Sequence, residues 1–149
     1  MPDFDALRDA LQGAIPFNGH LGLEVVEVGD GRGVVRLPDD DHLHNHVGSQ
    51  HAAGLFAAGE AASGAAFMGA FADHLDGITP LARSAEIDYR KLAKGVIDAT
   101  ATLDADVGEL LGTLDAEGKV QFPVGIEMTD GDGQVVAGMT VEWHVRKDS

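Results

Sequence analysis

The sequence predicts an α+β domain, an antiparallel sheet of about six strands curled around one long helix, and three observations carry that reading. Asn45 to Ala72 joins a polar, His-rich approach to a long, almost uncharged run rich in Ala and Gly. Several other segments alternate apolar and polar residues with the two-residue period of a strand. Two pairs of those segments are joined by short Gly/Asp turns that read as hairpins.

In chain order, Phe4, Leu7, Leu11 and Ile15 recur at three- and four-residue intervals after Pro2 and Asp3, which predicts a short amphipathic helix with an acidic first turn. His20 to Val28 and Arg32 to Leu37 read as two strands of a hairpin turning at Gly29 to Gly31. Pro38 to His46 is too polar for a core and delivers the chain to the central helix. His74 to Pro80 reads as a loop, and Ala82 to Lys91 as a third strand with Ala85, Ile87 and Tyr89 on one face. Val96 to Leu103 is a fourth strand, rich in β-branched residues. Val107, Leu110, Leu111 and Leu114 have helical spacing within Asp104 to Gly118, so a short helix is expected there despite Gly108 and Gly112. Val120 to Met128 and Val135 to Val145 alternate without a break on either side of Asp130 to Gly133, the clearest hairpin in the chain. Pro123 cannot donate to a ladder and belongs at an edge or a bulge.

The central run directs attention to a single side chain. From Ala52 to Ala72 the one ionisable residue is Glu60, on a helix whose uniformly apolar surface predicts burial on every side. Desolvating a carboxylate costs free energy unless partners or chemical work hold it there. Gly54, Gly59, Gly64 and Gly69 each cost roughly 1 kcal/mol relative to Ala in a helix interior, so packing rather than propensity must hold the helix. Their thin profile lets a sheet come close. A membrane span is disfavoured, because Leu, Ile and Val are sparse, no basic cluster flanks the run and Glu60 sits near its middle.

The 149 residues fit a single domain, 1–149, with a sizeable core. There is no cysteine, hence no disulfide or thiolate metal site, and Met1 to Ala14 lacks the pattern of a signal peptide; a cytoplasmic location is expected. The net charge of -15, from 25 acidic and 10 basic side chains, disfavours nucleic acid and anionic membrane surfaces as partners.

The helix between the second and third strands, together with Asn45, Gly48, His51 and Glu60 in the pattern N-x-x-G-x-x-H followed nine residues later by a carboxylate, resembles the hot-dog fold of phenylacetyl-CoA thioesterase-type acyl-CoA hydrolases and uncharacterised proteins close to them. Ala52 and Ala53 stand where that family usually has Gly-Gly, and Glu60 where it usually has Asp. The resemblance implies an acyl-CoA substrate, no cofactor beyond the coenzyme A it carries, and a homodimer or dimer of dimers. It also implies roles: the Ala52 N–H for the oxyanion, Glu60 as general base or nucleophile, Asn45 positioning the carbonyl or water, and His51 either in catalysis or holding the turn. Because eight residues of helix separate Ala52 from Glu60 by about 12 Å, one helix cannot supply both groups to one carbonyl, and a site shared across a two-fold axis is expected. Arg83, Arg90, Lys91 and Lys94 are the local cationic surplus, either for the phosphates of coenzyme A or as a solvated strand end balancing nearby acids.

Other readings compete. His42, His44 and His46 would share one face of an extended segment and, with Asp40 or Asp41, could suit zinc or nickel; no metal is expected. Glu60 could be a neutralised core carboxyl, Ser63 could hydrogen-bond to it, and Asn45 could serve as a helix cap. A non-catalytic hot-dog module binding acyl thioesters is the alternative function. A hydratase is disfavoured for want of its paired His and acid.

Overall fold

Helix α1 (Phe4–Gln12) opens the computed structural model, which describes residues 2–149. Its start is fixed by Asp3, whose carboxylate accepts the Ala6 N–H at 3.0 Å. A second short helix, α2 (Pro16–Leu21), begins on a proline whose missing N–H would have had no helical partner, and ends at Gly22 in the left-handed conformation, φ 73°. The expected strand from His20 is thereby corrected: His20 and Leu21 are helical, and β1 spans Glu24–Gly29. The proline and glycine that bracket α2 set that boundary. After β2 (Arg32–Leu37), a 3-10 turn at Asp41–Leu43 puts Leu43 into the core with only 6% exposed, so this polar segment contributes one core residue after all.

The long helix α3 (Ala52–Ala70) then crosses to β3 (Ile78–Tyr89), followed by β4 (Ile97–Thr102), α4 (Val107–Glu117), β5 (Lys119–Thr129) and β6 (Val135–Lys147). All neighbouring strands are antiparallel, in the order β1-β2-β4-β5-β6-β3. The helix therefore carries the chain from one side of the sheet to its far edge. The alternation in β5 and β6 is realised side chain by side chain: Val120, Phe122, Val124, Ile126 and Met128 are buried, as are Ala137, Met139, Val141, Trp143 and Val145. Pro123 lies where β5 pairs with β6 but has not yet met β4, so no ladder bond is lost on that side.

The sheet and α3 approach until backbone nearly touches backbone. A Cβ on Gly69 would stand 1.9 Å from the Gly29 carbonyl oxygen, and one on Gly33 would stand 2.6 Å from the Ala62 carbonyl oxygen. An aromatic cluster packs around this contact, with Phe67 edge-on to Phe71, Phe122 and Trp143 at 4.7, 5.8 and 5.8 Å between ring centres. Within it the Trp143 indole N–H donates to Ser63 Oγ at 3.0 Å, and that hydroxyl donates to the Glu60 backbone carbonyl at 2.7 Å. Ser63 thus meets Glu60 through its main chain rather than its carboxylate.

Burial on every side of α3 is the expectation that fails. The sheet covers most of it, yet Phe56, Glu60, Gly64 and Met68, one turn apart along the helix, are left short of full burial. The sheet wraps one side only, and the α1–α2 hairpin shields just part of the other.

These contacts separate two glycines of one helix. Gly69→Ala should destabilise the fold by about 3 kcal/mol, because backbone on both sides must move, whereas a Cβ on Gly64 would sit 3.6 Å from the Trp143 ring, an ordinary contact. Gly64→Ala should therefore gain up to about 1 kcal/mol of helix propensity. Urea denaturation of both variants checks the contrast.

Candidate active site

Each end of the candidate site is built by α3. At its start His51 is the cap: its Nδ1 accepts the Ala53 N–H at 2.9 Å, while its carbonyl accepts the N–H groups of Gly54 and Leu55. The Ala52 N–H is left without an acceptor among the described residues. This unpaired donor sits at the positive end of the helix dipole, open to solvent.

The loop before it is rigid for reasons written in its sequence. Asn45 spends its whole side chain on the loop: Oδ1 accepts the Val47 and Ser49 N–H groups at 3.0 and 3.1 Å, and Nδ2 donates to Ser49 Oγ at 2.8 Å. The helix cap is His51 and not Asn45. Gly48 supplies a left-handed residue, φ 79°, and its N–H returns to the Asn45 carbonyl. Gln50, 2% exposed, clamps the loop to its surroundings by donating from Nε2 to the carbonyls of Pro38 and Gly95, both at 2.9 Å. Sequence reasoning passed over Gln50 because polarity in a loop carries no sign of burial.

The same clamp brings the segment after β3 alongside the helix start. Gln50 N–H donates to the Ala93 carbonyl at 2.8 Å, and the Tyr89 hydroxyl donates to the Ala52 carbonyl at 3.1 Å. Tyr89 was also missed as a site residue, and its one sequence signal was a polar tip on an otherwise alternating strand. Lys91 and Lys94 ride on this segment, Lys91 with its Nζ 3.2 Å from Gln134 Oε1. The other two cations lie elsewhere. Arg83 donates to Gln121 at 2.7 Å, and Arg90 lies over Gly138 on the outer face of the sheet, paired with Asp88.

Eight residues along α3 from Ala52, Glu60 is partly buried, and its carboxylate has no hydrogen-bond or ionic partner among the described residues. Burial pushes its carboxyl above the ordinary 4.5. It borders a largely apolar cavity of about 280 Å³, whose walls include Leu11, Ile15, Gly64, Phe67 and Trp143. At 1.5 Å per residue the Ala52 N–H and Glu60 are about 12 Å apart, so one copy of α3 does not bring them to one carbonyl.

The histidines are dispersed by the 3-10 turn, which breaks the extended segment that would have aligned His42, His44 and His46. His44 Nε2 instead lies 2.6 Å from Asp39 Oδ1, and among the described residues no group of three His, Asp or Glu side chains is placed to hold a metal ion.

The family described as "Domain of unknown function (DUF4442)" matches residues 5–145. The chain belongs to that family. A search of curated proteins gives no match. Among solved structures, this DUF4442 chain is similar to a Pseudomonas aeruginosa protein of unknown function described as a probable thioesterase, at 29% identity over 99% of this chain and 98% of that one, TM-score 0.86. It is similar in fold to the PaaI protein of the Escherichia coli phenylacetic acid degradation operon, at 19% identity over 95% and 93% of the two chains, TM-score 0.73. A thioesterase from Staphylococcus aureus matches at 19% identity over 89% and 99%, TM-score 0.70. These neighbours are thioesterase-like hot-dog proteins, and the DUF4442 chain has the hot-dog fold. No helix among its described residues is long and apolar enough to cross a membrane.

The unpartnered carboxylate makes a prediction about stability. A carboxyl whose folded pKa is raised binds its proton more tightly in the folded state, so stability falls as pH rises from 4.5 through the folded value. Glu60→Gln should therefore melt higher than the parent at pH 7 to 8, with the gap closing as pH drops toward 4.5. Melting curves across that range check the sign.

Proposed function

We propose that this chain hydrolyses acyl-CoA thioesters at a site shared between two copies of it, the Ala52 N–H coming from one and Glu60 from the other. The observation that carries the reading is Glu60 itself, a carboxylate desolvated beside an apolar cavity with no structural partner. Likeness to thioesterase-like hot-dog proteins supports the reaction class. The partly open stripe of α3 around Glu60 supports a second copy docking there.

In the proposed reaction Glu60 takes a proton from water as the water oxygen attacks the thioester carbonyl, and its raised pKa makes it a stronger base than an exposed carboxylate. The carbonyl oxygen becomes an oxyanion and is held by the partner's free helical N–H, in the manner of an oxyanion hole. Collapse breaks the carbon–sulfur bond, the thiolate is protonated, and a carboxylic acid and coenzyme A leave. No further cofactor is needed. In this scheme Asn45 and Gly48 shape the loop that aims the Ala52 N–H, and His51 holds the helix start. Lys91 and Lys94, which the Gln50 clamp keeps beside that start, are the better placed phosphate contacts. Arg83 and Arg90 stand apart from it.

Glu60→Gln should lose hydrolysis by at least about 100-fold, the usual worth of a positioned base, while keeping its fold. Ala52→Pro removes the donor at a first-turn position where proline is tolerated, and should also be inactive. Refolding the two together should restore about one quarter of parental activity, since half of randomly paired dimers are mixed and each mixed dimer holds one intact site of two. Mixed dimers seen by native mass spectrometry without recovered activity would overturn the shared site, and unchanged turnover in Glu60→Gln would overturn the function.

A further inference from the structure

Gln50 is a costly residue to bury. It is 2% exposed, and its side-chain carbonyl oxygen, enclosed by protein, accepts from no donor among the described residues. A leucine or a methionine would fill the same space without that unmet acceptor. What the amide supplies lies on its other side, where Nε2 reaches the carbonyls of two distant segments, Pro38 after β2 and Gly95 just before β4, both at 2.9 Å. Its main chain adds a third tie, the N–H donating to the Ala93 carbonyl at 2.8 Å.

These bonds lie close to the free donor. The Ala52 N–H shares a planar peptide unit with the His51 carbonyl, which the Gly54 and Leu55 N–H groups already fix at 2.9 and 3.1 Å. The aim of that N–H therefore follows the position of His51. His51 in turn hangs on Gln50 and on its own N–H bond to the Leu43 carbonyl at 3.0 Å. On the other side of the clamp, the stretch 90–95 is tied at its near end, where the Arg90 and Lys91 N–H groups both donate to the Val136 carbonyl. Its far end is held through the Ala93 and Gly95 carbonyls, and both of those bonds come from Gln50. Lys91 and Lys94 lie exposed on this stretch. A displacement there is carried to Ala52 through one residue.

We propose that Gln50 is a positioning residue that couples the stretch 90–95 to the aim of the Ala52 N–H, so that the phosphate-bearing end of coenzyme A, held by Lys91 and Lys94, improves the oxyanion contact. The proposal rests on the thioesterase reading for its substrate. Binding energy from the remote end of that substrate then appears in kcat and not only in KM. A misaimed donor costs at most what a missing one does, roughly 100- to 1,000-fold.

Two thioesters of one acyl group measure the coupling: the acyl-CoA, and the acyl-N-acetylcysteamine thioester, which keeps the reacting end and lacks the phosphates. The parent should turn over the acyl-CoA with a kcat at least roughly tenfold higher, and Gln50→Met should bring that ratio to about one. Gln12→Met also removes two side-chain hydrogen bonds, to the Leu23 carbonyl and the Val25 N–H; it should keep the ratio and so controls for lost stability. If Gln50→Met does not fold, Gln50→Asn, which keeps the amide and shortens its reach by a methylene, takes its place. A parental ratio near one, or a ratio that survives the change at Gln50, overturns the coupling. A binding experiment tests it without turnover. Saturating adenosine bisphosphate, the phosphate-bearing end of coenzyme A, should move the Ala52 and Ala53 amide resonances of the isotope-labelled parent along with those of Lys91 and Lys94. In Gln50→Met only the lysine pair should move. Transmitted shifts in a protein that hydrolyses neither thioester leave the coupling standing and remove the thioesterase, and hydrolysis of both thioesters with neither ratio nor transmitted shift does the reverse.

Discussion

The constraint on which the structure depends is the closeness of α3 to the sheet. At Gly69 and Gly33 there is no room for even one carbon between helix and strand backbone. That closeness explains why a helix so poor in intrinsic propensity persists: Gly59 and Gly69 surrender helix stability but permit contact with the sheet, and close packing returns dispersion energy over many atoms. Bulk gathers beside that contact: Phe67 and Phe71 flank Gly69 along the helix and pack against Phe122, and Phe67 also against Trp143.

Wrapping of this kind leaves a remainder, and the proposed chemistry lies there. A sheet can cover only one side of a helix, so the stripe through Phe56, Glu60, Gly64 and Met68 relies on the α1–α2 hairpin and on whatever else docks there. A carboxylate on that stripe is neither fully hydrated nor paired. It is a cost to the fold that an alanine would not impose, of the sort that proteins retain where a reactive group is needed.

Much of this was legible in the sequence, and the failures have definite physical causes. The β5–β6 hairpin was plain because a strict two-residue alternation flanks a turn that its own side chain closes, Asp130 Oδ1 accepting the N–H groups of Asp132 and Gln134. The central helix and its isolated Glu60 stood out by composition alone. Helix α2 was misread because six residues are too few for a periodic signal, although Pro16 and Gly22 marked both its ends. Leu43, Gln50 and Tyr89 were lost for a different reason: each takes its role from a partner far along the chain, Gln50 from Gly95 and Tyr89 from Ala52, and local pattern carries no trace of such pairings. The cations also find different neighbours, Arg83 at Gln121, Arg90 at Asp88 and Lys91 at Gln134.

The loop chemistry and the helix length together motivate the proposal that the site draws on two copies of one chain. Asn45, Gly48 and Gln50 spend their hydrogen bonds on fixing where α3 begins, and His51 caps the Ala53 N–H while leaving the one before it free. A donor so carefully exposed has no counterpart within reach on its own chain, because the only carboxylate of the helix lies two turns further on. In the proposed reaction, an antiparallel pair of α3 helices across a two-fold axis is the simplest arrangement that brings a free N–H and an unpartnered carboxylate together twice.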